Sequence, residues 1–512
     1  MTRARRCAWL AAAVLGLALT PAAAEAAVTT SFADGTLTVT GDAADDRVAL
    51  RLSDGALQVD VGDDGIPDFE VTATEVQDIS VSAGDGNDDV RLDESGGGLR
   101  QFDTFFDGGG GNDVLTGGRG RQVLLGGDGA DTLNGLRGDD VSFAGGGDDV
   151  MVWSAGDGND VLEGQDGRDV AAVSGTGAAE GYDIVPNGGR IRVLRELDGS
   201  ELDGNDIEQI ELDARRGADS IAVDELDGTG LEHLQLDLGG QLGTRAPDGS
   251  ADRVTVAGAG GADRLALTGG SGLADLDGLE HTLGLSRVET LDAVTVQGGS
   301  GRDVLDAASF TGAQLTLEGG ANNDVLLGGP QDDVIDGGRG DDVAFLGAGD
   351  DRALARAGDG DDTIDGQEGT DVVVADGDTS DEELLLTARG GRAQLLRAST
   401  PAIDTHSVER LELAAGDGAD SLTLNDLSGT DLAEVQADLG SGADDASIRG
   451  TNRADSIDVS GDSNSVRVDG LATVLTLTDP EPSDALEIRT APGADIVDTS
   501  GLAPGTLSVI IT

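Results

Sequence analysis

The strongest constraint on this chain is a nine-residue period. From Gly108 it reads GGGGNDVLT, GGRGRQVLL, GGDGADTLN, GLRGDDVSF and AGGGDDVMV, then Trp153 and Ser154, then AGDGNDVLE and GQDGRDVAA to residue 172. A second run opens with GGSGRDVLD at 298–306. After a twelve-residue insertion it continues with GGANNDVLL, GGPQDDVID, GGRGDDVAF and LGAGDDRAL, then Ala355 and Arg356, then AGDGDDTID and GQEGTDVVV to residue 374. Position six is Asp in thirteen of these fourteen copies, Gln122 being the exception, although Asp and Glu together are only 99 of 512 residues. Position eight is a large aliphatic in ten; Ser142, Ala171, Ala344 and Ala353 are the weaker members. Each copy therefore reads as a six-residue turn followed by a three-residue strand. Such a unit is too short to bury anything alone and must stack on its neighbours.

The two runs are copies of one larger unit. GDDVSFAGGGDDV (138–150) aligns with GDDVAFLGAGDDR (340–352) at an offset of 202 residues, and the two-residue insertion recurs at the same place. Downstream, IEQIELDARRGADSIAVDELDGT (207–229) matches VERLELAAGDGADSLTLNDLSGT (408–430). Outside the runs an aliphatic residue is followed seven positions later by Asp and then by another aliphatic. Val39/Asp46/Val48, Val81/Asp88/Val90, Leu212/Asp219/Ile221 and Leu413/Asp420/Leu422 are examples. Between them the chain alternates polar and apolar residues, as in Thr36-Leu37-Thr38-Val39-Thr40, which is strand periodicity. No segment sustains a helical period. The expectation is an all-β chain with an N-terminal β region at 27–107, arrays at 108–172 and 298–374, a β-rich inter-array region at 173–297 and a C-terminal β region at 375–512. The two-residue insertions are expected to disturb register. The Gly-Ala-Asp turns outside the arrays are expected to be structural turns without a tandem partner.

The turn composition selects a hard cation. Calcium takes six to eight oxygen ligands at roughly 2.3–2.6 Å in forgiving geometry. Asp supplies two oxygens on a short arm, and Gly lets carbonyls turn inward without a Cβ clash. Stacked turns lie about 4.8 Å apart, so one ion can be shared between two of them. A formal charge of -67 fits this reading and disfavours nucleic acid or an anionic membrane as partner.

The arrays resemble the RTX, or haemolysin-type, calcium-binding repeat, whose nonapeptide has this G-G-x-G-x-D-x-U-x form. The resemblance covers the two arrays and implies a parallel β-roll, a β-solenoid in which two nonapeptides make one turn of the coil. The arrays would then alternate with divergent β-rich regions. It also implies that the position-six carboxylates are direct Ca2+ ligands: Asp113, Asp131, Asp140, Asp149, Asp160 and Asp169 in the first array, and Asp303, Asp324, Asp333, Asp342, Asp351, Asp362 and Asp371 in the second. Neutral Gln122 should weaken the sites that it borders. Leu136 in place of Gly, and Asn322 and Gln331 at position four, should weaken theirs. Repulsion among the carboxylates implies that the arrays fold only when calcium binds.

Residues 1–26 read as a cleavable secretory signal: Arg3, Arg5 and Arg6, an apolar stretch from Ala8 to Leu19, and an Ala24-Glu25-Ala26 site. The only cysteine, Cys7, lies within it. The expectation is a secreted, extracellular calcium-binding protein with no membrane insertion, no catalytic residues and no other cofactor. Nothing in the sequence forms a zinc-protease H-E-x-x-H or a G-x-S-x-G elbow. Glu232-His233 and Glu280-His281 read as surface chemistry. DVGDDGIPD (60–68) reads as a hairpin turn. A calcium-dependent adhesin or cell-surface matrix protein with a glycan or surface partner, and a secreted hydrolase with an unrecognised site, are the alternative functions.

Overall fold

The computed structural model describes residues 28–240, 248–397 and 400–512; the expected signal at 1–26 lies outside them. Short strands alternate between two sheets, so the chain climbs as a flattened coil. Within the first array the coil is regular. Val114–Gly118, Thr132–Leu136, Val150–Ser154 and Val170–Ser174 stack in parallel in one sheet. Asp103–Gly110, Gln122–Asp128, Val141–Gly146 and Asp160–Asp166 stack in the other. Two nonapeptides thus make one full coil, and the architecture is an all-β parallel β-roll.

The period-two alternation places one side chain per half-coil inside. Leu115, Leu133, Met151, Ala171 and Ile210 form one buried column, and Phe106, Leu124, Ser142 and Leu162 form one in the facing sheet. Each buried aliphatic contributes roughly 1.5–3 kcal/mol, little against the entropy of ordering nine residues. Stability therefore accumulates only by stacking.

The same two sheets continue outside the arrays. Asp78–Asp85 pairs in parallel with Asp103–Gly110, and Asp89–Asp93 with Val114–Gly118. Val170–Ser174 pairs with Gln209–Asp213, and Val372–Asp378 with Arg410–Gly416. The coil is interrupted by three-stranded meanders that keep sheet pairing intact. One is Gly181–Asn187, Arg190–Arg195 and Glu201–Asn205. Its first strand carries Ser220–Val223 and its last pairs with Asp160–Asp166. Equivalent meanders are built from Arg264–Gly270, Leu273–Asp277 and Thr282–Ser286, from Glu383–Arg389, Arg392–Arg397 and Thr400–His406, and from Ser456–Gly461, Ser465–Asp469 and Val474–Thr478. The duplicated units occupy opposite sheets: Asp160–Asp166 lies in the sheet of Gln122–Asp128, and its copy Asp362–Glu368 in the sheet of Val114–Gly118.

The insertions do not break register. Across the first, Val141 pairs with Val161 and Val150 with Val170, so the spacing grows from 18 to 20 residues without a bulge. The extra residues extend Val150–Ser154, whose Trp153 is wholly buried and donates its indole N–H to the Gly158 carbonyl at 3.2 Å. Asp157 closes the enlarged turn by accepting the Ser154 N–H at 2.7 Å, and Asp359 accepts the Arg356 N–H at 2.6 Å in the second copy. The twelve-residue insertion is also structural. It supplies most of Gln314–Ala321, whose Leu315 and Leu317 are buried between flanking parallel strands.

Candidate metal centre

At each turn the chain reverses between sheets, and the reversal is built by stacking on the previous coil. The position-four Gly N–H donates to the position-three carbonyl one coil on: Gly111 to Asp128 and Gly129 to Gly146, both at 2.7 Å. A Cβ placed on Gly129 would lie 1.8 Å from the Gly111 carbonyl oxygen, at φ +141°. This is why the position must be Gly. Position two is also left-handed, with φ of 103° at Gly109 and 114° at Gly127; where a side chain stands at either position the residue stays left-handed at a smaller angle, Leu136, Gln165 and Gln367 at position two having φ of 61°, 74° and 69° and Asn322 at position four 78°. Gln331 does not keep that conformation, being absent from the positive-φ residues.

All thirteen position-six Asp side chains are buried. In the first array each connects one coil to the next. The N–H of Asp113 donates to Asp131 Oδ1 at 2.7 Å, that of Asp131 to Asp149 Oδ1 at 2.7 Å, and that of Asp149 to Asp169 Oδ1 at 3.0 Å. The other edge repeats this with Asp140 and Asp160 at 2.9 Å. In the second array Asp303, Asp324, Asp342 and Asp362 form one ladder, and Asp333, Asp351 and Asp371 the other. The fate of the second oxygen decides the chemistry. Oδ2 of Asp113, Asp131, Asp140, Asp149, Asp169, Asp303, Asp324, Asp342, Asp351 and Asp371 is buried without a hydrogen-bond partner. One oxygen serves the backbone; the other is desolvated with nothing to satisfy it.

Burial raises these carboxyls, the Oδ1 hydrogen bonds offset only part of the effect, and neighbouring Asp residues raise them further. Asp131 is pushed up to about 6, Asp160 to about 7 and Asp140 to about 8. Asp333, Asp342 and Asp351 reach about 7, and Asp169, Asp324, Asp362 and Asp371 about 6. Asp113, Asp149 and Asp303 are also raised, first by burial. A column of buried like charges of this kind calls for a cation.

Among the described residues, no three His, Cys, Asp or Glu side chains gather into a metal cluster. An ion held in a turn would instead draw on one carboxylate from each of two stacked coils and on the turn carbonyls. An all-oxygen, carbonyl-rich set suits a hard divalent ion of high coordination number. At the odd position, Gln122 accepts the Gly118 N–H at 3.0 Å through Oε1, and its buried Nε2 has no partner. The ladder survives there without the charge.

Stacked acids extend past the arrays. Asp46, Asp88 and Asp113 form one ladder, the Asp46 N–H donating to Asp88 Oδ1 at 2.7 Å and the Asp88 N–H to Asp113 Oδ1 at 2.8 Å. At the far end Asp169 and Asp371 donate their N–H groups to Glu208 and Glu409. Asp219, read as an isolated turn, also has stacked partners: its N–H donates to Asp252 Oδ1 and its Oδ1 accepts from Glu180. The missed signal was the hexapeptide itself. A-G-D-G-N-D at 83–88 is a complete turn, but its partner lies 25 residues away instead of 18.

Other candidates fall outside the ladders or alter the expectation. His281 is buried, not superficial, and neither ring nitrogen has a partner. Asp60, Asp64 and Asp68 hold a hairpin turn by accepting backbone N–H groups, and Asp60 pairs with Arg51, as the sequence suggests. No helix among the described residues is long and apolar enough to cross a membrane.

Sheets, turns and buried acids together define a β-roll of the calcium-binding kind. The chain carries RTX calcium-binding nonapeptide repeats: residues 105–121, 116–151, 154–171, 318–353 and 354–379 match the family described as "RTX calcium-binding nonapeptide repeat (4 copies)". Calcium is the ion that such repeats bind. No curated protein matches the chain. Among solved structures, the extracellular lipase LipA from Serratia marcescens is similar at 15% identity and a TM-score of 0.17, over 65% of this chain and 42% of the lipase. The chain thus spans less than half of the lipase's length.

Proposed function

We propose that this is a secreted calcium-binding protein whose arrays hold Ca2+ between stacked turns and complete their folding on binding it. The thirteen position-six Asp residues are the proposed carboxylate ligands, with carbonyls of the same turns filling the shell. The observation that carries this reading is the split role of ten of the thirteen Asp residues, with Oδ1 held by backbone and Oδ2 buried and unpartnered; Asp160, Asp333 and Asp362 differ, the Oδ2 of Asp333 accepting the Gly329 N–H. Bound calcium supplies the positive charge that this oxygen lacks. The protein's role follows from the ion: in calcium-rich surroundings the coil is rigid, and in calcium-poor surroundings its arrays are repelled apart.

Isothermal titration of calcium into the chain tests the proposal, with far-UV circular dichroism followed in parallel. The expected result is binding of about ten ions, one per stacked pair of turns, with gain of strand signal. Binding near zero, or an unchanged spectrum between chelator and calcium, would overturn it.

A further inference from the structure

The turns Ala415–Asp420 (A-G-D-G-A-D) and Leu439–Asp444 (L-G-S-G-A-D) stack outside both arrays and beyond the family match, which ends at residue 379. Their construction repeats that of the arrays. The Gly418 N–H donates to the Ser441 carbonyl at 3.1 Å, as Gly111 does to Asp128. The Ala419 N–H donates to Asp381 Oδ1 at 2.9 Å, as Ala130 does to Asn112. A Cβ on Gly440 would lie 1.5 Å from the Gly416 carbonyl oxygen, and one on Gly442 1.7 Å from that of Gly418. The carboxylates form a ladder of their own. Glu382 donates its N–H to Asp420 Oδ1 at 2.7 Å, Asp420 to Asp444 Oδ1 at 2.8 Å, and Asp444 to Asp484 Oδ1 at 3.2 Å. Asp420 and Asp444 are 2% and 0% exposed, and the Oδ2 of each has no partner. At the edge of the stack Glu382 pairs through Oε1 with Arg397 at 3.0 Å, and its Oε2 is unpartnered.

The duplicated unit supplies a contrast. Residues 214–219 (A-R-R-G-A-D) are the copy of 415–420, with Arg215 and Arg216 in place of Gly416 and Asp417. Arg215 keeps the left-handed conformation at φ 67°, so the turn has the same shape with two fixed cations. The two positive charges of that copy disfavour a metal ion, and the 415–420 copy carries Gly416 and Asp417 in their place.

We propose that the 415–420 and 439–444 turns form a calcium site outside both arrays, the third site region of the chain, with Asp420 and Asp444 as its carboxylates and turn carbonyls completing it. This rests on the calcium reading of the arrays. The test is the number of ions retained by the full chain in equilibrium dialysis against calcium, for the wild type, Asp420→Asn/Asp444→Asn and the array control Asp131→Asn/Asp149→Asn. The expected result is a loss of about one or two ions in each variant. An unchanged number for Asp420→Asn/Asp444→Asn beside a reduced number for the control overturns the third site alone. Unchanged numbers in both overturn the calcium reading itself. Hydrogen exchange of the wild type decides without relying on a variant's folding. Peptides spanning 415–421 and 439–446 are expected to gain protection with calcium, as are those spanning 126–150. Protection confined to the latter overturns the third site.

Discussion

The turn around Asp131 and the turn around Asp219 share a backbone plan and differ in charge. In both, Oδ1 accepts an N–H from the preceding coil, at 2.7 Å and 2.8 Å, and Oδ2 is buried and unpartnered. The first turn is G-G-D-G-A-D; the second is A-R-R-G-A-D. The carboxylate ladder is therefore a scaffold device, present wherever coils stack, and on the proposed calcium reading it is the glycine-carbonyl turn together with the unpartnered Oδ2 that would make a ladder position an ion site. Shape and binding are separable in this molecule, and four experiments pull them apart.

The largest effect is expected from chelation at neutral pH. Each site held at 100 times its Kd contributes about 2.7 kcal/mol, so several together exceed the 5–15 kcal/mol by which ordinary domains are stable. Chelator should abolish the cooperative melting of the arrays, read by circular dichroism or calorimetry. An unshifted transition would show that stacking alone holds the coil.

Next in size is the reversal of pH dependence. Ten of the ion-free acids have folded pKa values raised to about 6 to about 8, and the other three are raised as well, above the unfolded value of about 3.9. The folded state then binds more protons. In chelator, stability is greatest below the unfolded value and falls as pH rises through about 6 to about 8. With calcium the ligands must be ionised, so acidification should release ions and lower stability. In chelator a melting transition is expected at pH 5 and is lost by pH 8, whereas with calcium the transition should strengthen from pH 5 to pH 8, so the two slopes are opposite. Parallel slopes would place the ions away from these carboxylates.

A pair of isosteric substitutions addresses the comparison directly. Asp131→Asn keeps the Oδ1 acceptor and removes the anion, and in calcium it is expected to cost about 2–3 kcal/mol. Asp219→Asn keeps the same acceptor. It replaces a carboxyl that burial has already pushed up to about 7, so its expected cost is below about 1 kcal/mol. Equal costs would mean that Asp131 is a scaffold residue only.

The arrays were legible in the sequence because consecutive nonapeptides leave a visible period, and the all-β, coiled character followed from it. What escaped reading was partnership across the coil. Stacking joins residues 18 to 21 apart in the arrays but 24 apart for Asp420 and Asp444 and 40 apart for Asp252 and Asp292, because meanders and longer turns intervene. A local period records only neighbours in the chain, so A-G-D-G-N-D at 83–88 looked solitary. The insertions misled for the opposite reason. Two residues break the period in the sequence, yet Trp153 absorbs them into a strand and the turn enlarges outward.

The smallest effect concerns Leu136, the one position-two aliphatic within a binding turn. Its φ of 61° places Cβ in the region that costs an L-residue about 1–2 kcal/mol, while its side chain is 36% exposed and buries little. Leu136→Gly removes the strain and adds back part of it as unfolded-chain entropy, about 0.5–1 kcal/mol. The net expectation is a stabilisation of roughly 0.5–1 kcal/mol in calcium, a rise of about 1–3 °C in melting temperature. Binding and stability should improve together, because the carbonyls flanking residue 136 belong to the turn of Asp140, whose ladder already lacks a charge at Gln122. A fall in melting temperature would mean that the leucine contributes packing worth more than the strain that it imposes.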